Sequence, residues 1–171
     1  MRIREIVGLI AAVLSIISFC FSIYCYITVD RFEKMIIEFV LLEMDVSLTE
    51  PLDKAPVSNH VIDINGQIRI KLPSPTTDIN LDLARRNIDV VPMVRPLSET
   101  NLWFVQTRPN IHKDGSFQGS VNIGDKEGRG IGVNFQIVVI AVPKGTIKQG
   151  QTFSDLPRGA TSKTITVRRI R

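Results

Sequence analysis

The chain has 171 residues and a formal net charge of +4, from 21 lysines and arginines against 17 aspartates and glutamates. Hydrophobic residues make up 44% of the chain and charged residues 22%, a composition that argues against a disordered protein. An apolar run near the N-terminus leaves about 140 residues for the rest of the chain, which is enough for one compact domain and excludes a two-domain enzyme.

The residues Ile6–Val29 predict a transmembrane helix, because this run of 24 residues contains no charged side chain. As a helix it would extend over about 36 Å, whereas the hydrocarbon core of a bilayer is about 30 Å thick. A cleaved signal peptide is the alternative interpretation. The apolar run is longer than an ordinary signal sequence requires, and it lacks an A-x-A cleavage site.

The charges that flank this span predict its orientation. The head, residues 1–5, carries Arg2 and Arg4, whereas residues 30–34 carry two basic and two acidic side chains. Because basic residues near a span favour the cytoplasmic side, we expect the head to lie in the cytoplasm and the C-terminal domain outside it.

Residues spaced alternately three and four apart form a stripe along one face of the predicted helix and its continuation. Small residues in lipid allow helix backbones to approach closely, so the stripe predicts a homo-oligomer held by a long helix that includes a stalk at residues 30–48. Two alternatives stay open: a chance alignment of small residues, and a second helical piece, residues 31–46, that folds back on the following domain or lies among lipid headgroups. The stripe comprises Gly8, Ala11, Ser15, Ser18, Ser22, Cys25, Val29, Phe32, Ile36 and Phe39.

The composition changes after the stalk. Residues 49–59 contain two prolines and few bulky apolar side chains, so they predict a linker to a β domain at residues 60–171. Asn65-Gly66 is typical of a type I′ turn, which predicts a hairpin between strands at 60–64 and 67–72.

Five further strands are predicted, at residues 88–94, 102–107, 117–123, 133–142 and 164–169. Pro92 favours an edge or bulged position for the first of them. The run at 133–142 is the longest and least polar, so we expect it to be central. Alternation in the last run places Ile165 and Val167 inward. About seven short strands, with a weak helical period only at 80–86, predict an antiparallel β-sandwich.

Four segments of this domain resemble small bacterial β-sandwich domains of immunoglobulin-like or fibronectin-like type. They read NLWFVQTRP from Asn101, HKDGSFQGSVNIG from His112, FQIVVIAVP from Phe135 and DLPRGATSKTITVRRIR from Asp155. The resemblance covers residues 66–171. It implies the architecture and a core position for Trp103, and it implies no catalytic residues. The chain departs from immunoglobulin domains because it has no cysteine pair outside the span.

The sequence predicts no catalytic, cofactor or metal site. His60 with Asp63 and His112 with Asp114 lack zinc-ligand spacing, and no nucleophile elbow accompanies either histidine. The glycine-rich segment 124–132 lacks the Gly-Lys-Ser/Thr of a phosphate loop and predicts a mobile hairpin tip.

Basic residues are concentrated near the C-terminus, and they predict a basic surface for an acidic protein or another anionic partner. No aromatic residues are interleaved with them, which argues against nucleic acid; an ordinary solvated strand end is the alternative. The predicted surface comprises Lys144, Lys148, Arg158, Lys163, Arg168, Arg169 and Arg171.

Together these features predict a non-enzymatic single-pass membrane protein that presents a β-sandwich binding module and contacts the lipid bilayer through its span. Recognition is expected at loops of the sandwich ends, including residues 110–116 and 125–132. The alternative is a membrane effector or sensor of a bacterial defence or signalling system, with the sandwich facing the cytoplasm.

Overall fold

A computed structural model describes residues 3–71, 86–98 and 101–171, with side chains from Ser15 onward. The weak helical period at 80–86 lies outside these residues except for its last position. The described chain contains the helix α1 (Ile3–Leu42), two further helical residues, Arg86 and Asn87, and eleven strands, four of them of two residues. The strands are β1 (Met44–Glu50), β2 (Pro56–Val57), β3 (Val61–Ile70), β4 (Ile88–Pro96), β5 (Trp103–Val105), β6 (Asn110–Ile111), β7 (Ser116–Asn122), β8 (Asn134–Pro143), β9 (Thr152–Phe153), β10 (Ala160–Thr161) and β11 (Ile165–Arg169).

Helix α1 is one unbroken element of 40 residues, which confirms the expected continuity across Asp30. By length and composition it is able to span a membrane over Ser15–Leu42. Two of its hydroxyl groups are satisfied without water, because Ser22 Oγ donates to Ser18 O at 2.9 Å and Thr28 Oγ1 donates to Tyr24 O at 2.8 Å. Residues 1–36 form one compact unit and residues 37–171 a second.

The stalk and the linker differ from their predictions. Helix α1 ends at Leu42, and the buried side chains of Met44 and Val46 alternate with exposed ones, so the helix period gives way to the strand period of β1. Residues 49–59 are part of the β domain, because β1 extends to Glu50 and β2 pairs with β11. The residues between these strands are held by Asp53, whose Oδ1 accepts the Thr166 N–H at 2.8 Å.

The β domain contains two sheets. The four-stranded sheet has the order β1-β3-β7-β6, and the larger sheet has the order β2-β11-β8-β4-β5-β9, with β10 also paired to β8. Their pairings are antiparallel except for β2 with β11. The domain is mostly β, as predicted. The long strand β8 is central, as expected, because β4 lies on one side of it and β11 and β10 on the other.

The predicted hairpin at Asn65-Gly66 is wrong. Strand β3 runs through both residues without a turn, and Gly66 lies between Leu48 of β1 and Phe117 of β7. A Cβ at Gly66 would overlap the Phe117 ring and the Ser47 carbonyl oxygen. The glycine therefore serves close packing between strands instead of a turn.

The expected edge or bulged position of the strand with Pro92 is also wrong. Strand β4 pairs with β8 on one side and β5 on the other, and residues 88–94 are all buried. Pro92 O accepts the Gln106 N–H at 2.9 Å. The nitrogen and the carbonyl of a residue point to the same side of an antiparallel strand. The Pro92 nitrogen therefore faces Gln106, which lies just beyond the end of the three-residue strand β5. Proline is tolerated there because its missing N–H removes no hydrogen bond between β4 and β5.

Apolar side chains cover both faces of the larger sheet. Ile137 and Val139 of β8 are fully buried, and so are Val138 and Ile140, which point to the opposite face. On that second face Trp103 is 3% exposed, as the expected core position requires. Trp103 belongs to a buried hydrophobic cluster that also includes Ile147, from the segment after β8. Its members are Val91, Met93, Trp103, Val105, Val138, Ile140, Val142 and Ile147, with Phe153 and Leu156 packed against them.

Candidate binding cleft

The basic residues near the C-terminus do not gather on one patch. Arg168 pairs with Asn134 at the start of β8, whereas Lys144 follows Pro143 at its end. Ten residues of strand extend over about 33 Å, so these two cations belong to opposite ends of β8. Apart from Arg169, all the residues of the predicted basic surface are exposed.

Arg169 is not a surface residue, because it is only 4% exposed. It shares the inward face of β11 with Ile165 and Val167. Its Nη2 donates to Asp125 O at 2.7 Å and its Nη1 donates to Arg129 O, while its buried Nε has no hydrogen-bond partner among the described residues. Arg169 thus connects the glycine-rich segment to strand β11 through two hydrogen bonds.

The glycine-rich segment is also closed on itself. Asp125 accepts the Arg129 N–H at 2.9 Å and forms an ion pair with the Arg129 guanidinium. Desolvation raises the pKa of Asp125, but the hydrogen bonds and the charge of Arg129 outweigh it and hold that pKa below its ordinary value. The sequence predicts a mobile tip for this segment, whereas the structure has a hydrogen bond and an ion pair between Asp125 and Arg129.

The other predicted recognition loop is a tight turn at the opposite end of β7. Asp114 Oδ1 accepts the N–H of Ser116 at 3.0 Å and its Oγ–H at 2.7 Å. These two hydrogen bonds lower the pKa of Asp114. Because Ser116 and Asn122 are the two ends of β7, residues 110–116 and 125–132 do not combine into one site.

A cleft of about 370 Å³ lies beside the end of β8 that carries Lys144. Among the described residues, three cations, Arg86, Arg108 and Lys144, line it, together with one carboxylate, Asp89. The remaining lining residues are Ile88, Val90, Pro109, Asn110 and Ile111.

A fixed ion pair forms one wall of this cleft. Asp89 is 8% exposed, and its Oδ2 lies 2.9 Å from Arg108 Nη2 and accepts the Gly145 N–H at 2.8 Å. The same Nη2 donates to Ile147 O at 2.8 Å. The pair therefore joins β4, the segment before β6 and the turn after β8.

Sequence reasoning identified Lys144 but missed Arg86, Asp89 and Arg108. The signal was present at Asp89, since a carboxylate inside the apolar run Ile88–Val94 requires a partner when the strand is buried. The sequence does not specify that partner, because Arg108 is 19 positions away and belongs to the segment after β5.

The structure does not bring the two histidines together. His60 precedes β3 at the end that pairs with Asn122, whereas His112 belongs to the turn beside Ser116. The described residues contain no group of three histidine, cysteine, aspartate or glutamate side chains suited to a metal ion. No protein-family model matches the chain, and the search of curated proteins gives no match either.

Proposed function

We propose that this chain is a non-enzymatic single-pass membrane protein that presents its β domain as a binding module. The observation that carries the proposal is the exposed apolar surface of α1. From Ile16 to Met35 its large hydrophobic side chains are 44% to 77% exposed. A helix with such a surface requires an apolar environment, which a bilayer supplies.

The β domain supports binding better than catalysis. Its two mainly antiparallel sheets and the buried Trp103 agree with the proposed immunoglobulin-like or fibronectin-like type, although a fold of this kind does not determine a function. One of its concave features is a cleft with cationic walls and a fixed arginine. Such a site can hold an anionic partner without any group for turnover.

The stripe on α1 supports self-association of the anchored chain. From Ser15 to Phe32 its described members are exposed, and Phe39 is exposed as well. Ile36 of the stripe is half-buried. Because α1 is unbroken, a second copy would meet the stripe from Ser15 to Phe32 as a continuous surface. We propose a homo-oligomer that brings several β domains together.

Membrane extraction tests the anchor. We expect the full chain to stay in the membrane pellet through alkaline carbonate washing and to retain its first residues in N-terminal sequencing. Release into the supernatant, or a mature chain that lacks the apolar run, would contradict the anchor and favour a signal sequence.

Protease accessibility tests the orientation. With the head in the cytoplasm, protease added to intact spheroplasts digests the β domain. A domain that is protected until the spheroplasts are permeabilised would instead support the effector or sensor that faces the cytoplasm.

A further inference from the structure

We infer that the cleft between Arg108 and Lys144 is a binding site for a compact oxyanion, a carboxylate or a phosphate group. The inference deepens the binding role proposed above and names the chemistry of its ligand. It stands on contacts within the β domain, so its test is separate from the test of the membrane anchor.

Arg108 is oriented before any ligand arrives. A guanidinium group has five N–H donors, and Nη2 uses its two on Asp89 Oδ2 and Ile147 O. The donors on Nε and Nη1 have no partner among the described residues. With its side chain 46% exposed, Arg108 offers these donors to solvent from a fixed position. Guanidinium donors match the oxygen geometry of carboxylates and phosphates.

Lys144 and Asn110 add donors to the same cleft. Lys144 Nζ donates one hydrogen bond, to Arg86 O at 3.2 Å, and has no carboxylate partner in the described part of the chain. The side-chain amide of Asn110 has no hydrogen-bond partner there either. The cleft therefore holds several donors that have no acceptor among the described residues.

The charge balance favours an anion. The carboxylate of Asp89 is engaged by Arg108 and by the Gly145 N–H, which leaves the positive charge of Lys144 without a counter-charge among the described residues of the cleft wall. A volume of about 370 Å³ is at the lower end for ligand sites, so it suits a small charged group better than a large apolar one.

The test is a titration of the isotope-labelled full chain in a glycoside detergent that carries no phosphate. Inorganic phosphate and acetate are added in separate arms at constant ionic strength, with chloride as the reference. The amide of Gly145 is the reporter, because it donates to Asp89 beside the cleft. We expect a saturable shift of this amide with at least one of the two anions, and the arms then show which oxyanion is preferred.

Lys144→Gln is the informative variant, because Lys144 is exposed and its loss leaves the Asp89–Arg108 pair in place. We expect its affinity for the anion to fall at least about threefold, the size of one exposed charge-assisted contact. Lys126→Gln, an exposed lysine beyond β7, is the matched control and should bind like the wild type. A shift that does not saturate, or equal affinity in Lys144→Gln and the wild type, would overturn the inference.

Discussion

The packing of the four-stranded sheet requires that Gly66 has no side chain. Replacing it with alanine places a methyl group against the Phe117 ring and the backbone of Ser47, and neither can move without shifting a strand. We expect Gly66→Ala to lower the free energy of unfolding by about 1–3 kcal/mol, the usual effect of overpacking. Urea unfolding of the solubilised full chain, followed by the fluorescence of its single tryptophan, measures this.

Gln118→Ala is the control for this prediction. Gln118 is exposed on β7 and pairs with Asn65, so it reports a change at the neighbouring register position. We expect its unfolding midpoint to match that of the wild type. A Gly66→Ala protein as stable as Gln118→Ala would mean that the sheet accommodates the methyl group and that the packing explanation is incorrect.

The identity of a residue does not by itself determine its structural role, as Gly66 and Arg169 show. A glycine after asparagine is typical of a turn, but Gly66 is required by the ring of Phe117, 51 positions away. Arg169 is a second example. Its alternation with Ile165 and Val167 favours an inward side chain, whereas its charge favours an exposed one. The roles of Gly66 and Arg169 depend on contacts with residues that are far away in the sequence. The neighbouring residues in the sequence do not predict these contacts.

At the scale of elements, the glycine-rich segment at 124–132 owes its conformation to a side chain from another strand. We expect Arg169→Met to speed hydrogen exchange at the Asp125 and Arg129 amides about tenfold or more, because the carbonyl oxygens of both residues lose a charge-assisted hydrogen bond. Hydrogen exchange followed by NMR in detergent measures the change at each amide.

Arg168→Met supplies a control of the same size and charge change. Its side chain is exposed on the adjacent position of β11, so exchange in the segment should remain as in the wild type. If Arg169→Met and Arg168→Met exchange alike, the segment is held by its own hydrogen bonds and not by Arg169.

Elements with a strong local pattern were predictable. The apolar run predicts α1, and the strands β5, β7, β8 and β11 lie within or near their predicted residues. The stalk was extended too far because Met44 and Val46 fit a helical stripe as well as a strand face, and pairing with Ile70 and Ile68 of β3 selects the strand. The cleft was not predictable, since its residues come from β4, β6 and the turn after β8.

At the scale of the whole molecule, the two compact units of the chain differ in the surfaces that they present. The first unit is helix with exposed apolar side chains, and the second holds the buried core and the cationic cleft. A weak, small site becomes more effective when copies are held together, because linked sites raise the effective concentration. Self-association of α1 would therefore strengthen the binding of a partner that carries several oxyanion groups, without any new contact at the cleft.

This connection makes the stripe on α1 the feature to change. We expect the double variant Ser15→Leu with Ser18→Leu to shift the detergent-solubilised chain toward the monomer, because leucine at both positions keeps the helix backbones apart. Thr28→Leu is the matched control, since it replaces another exposed hydroxyl residue of α1 that is not part of the stripe. Sedimentation measures the populations. An unchanged oligomer in the double variant would show that the stripe does not hold the copies together, and a monomeric wild type would remove the proposed link between association and binding.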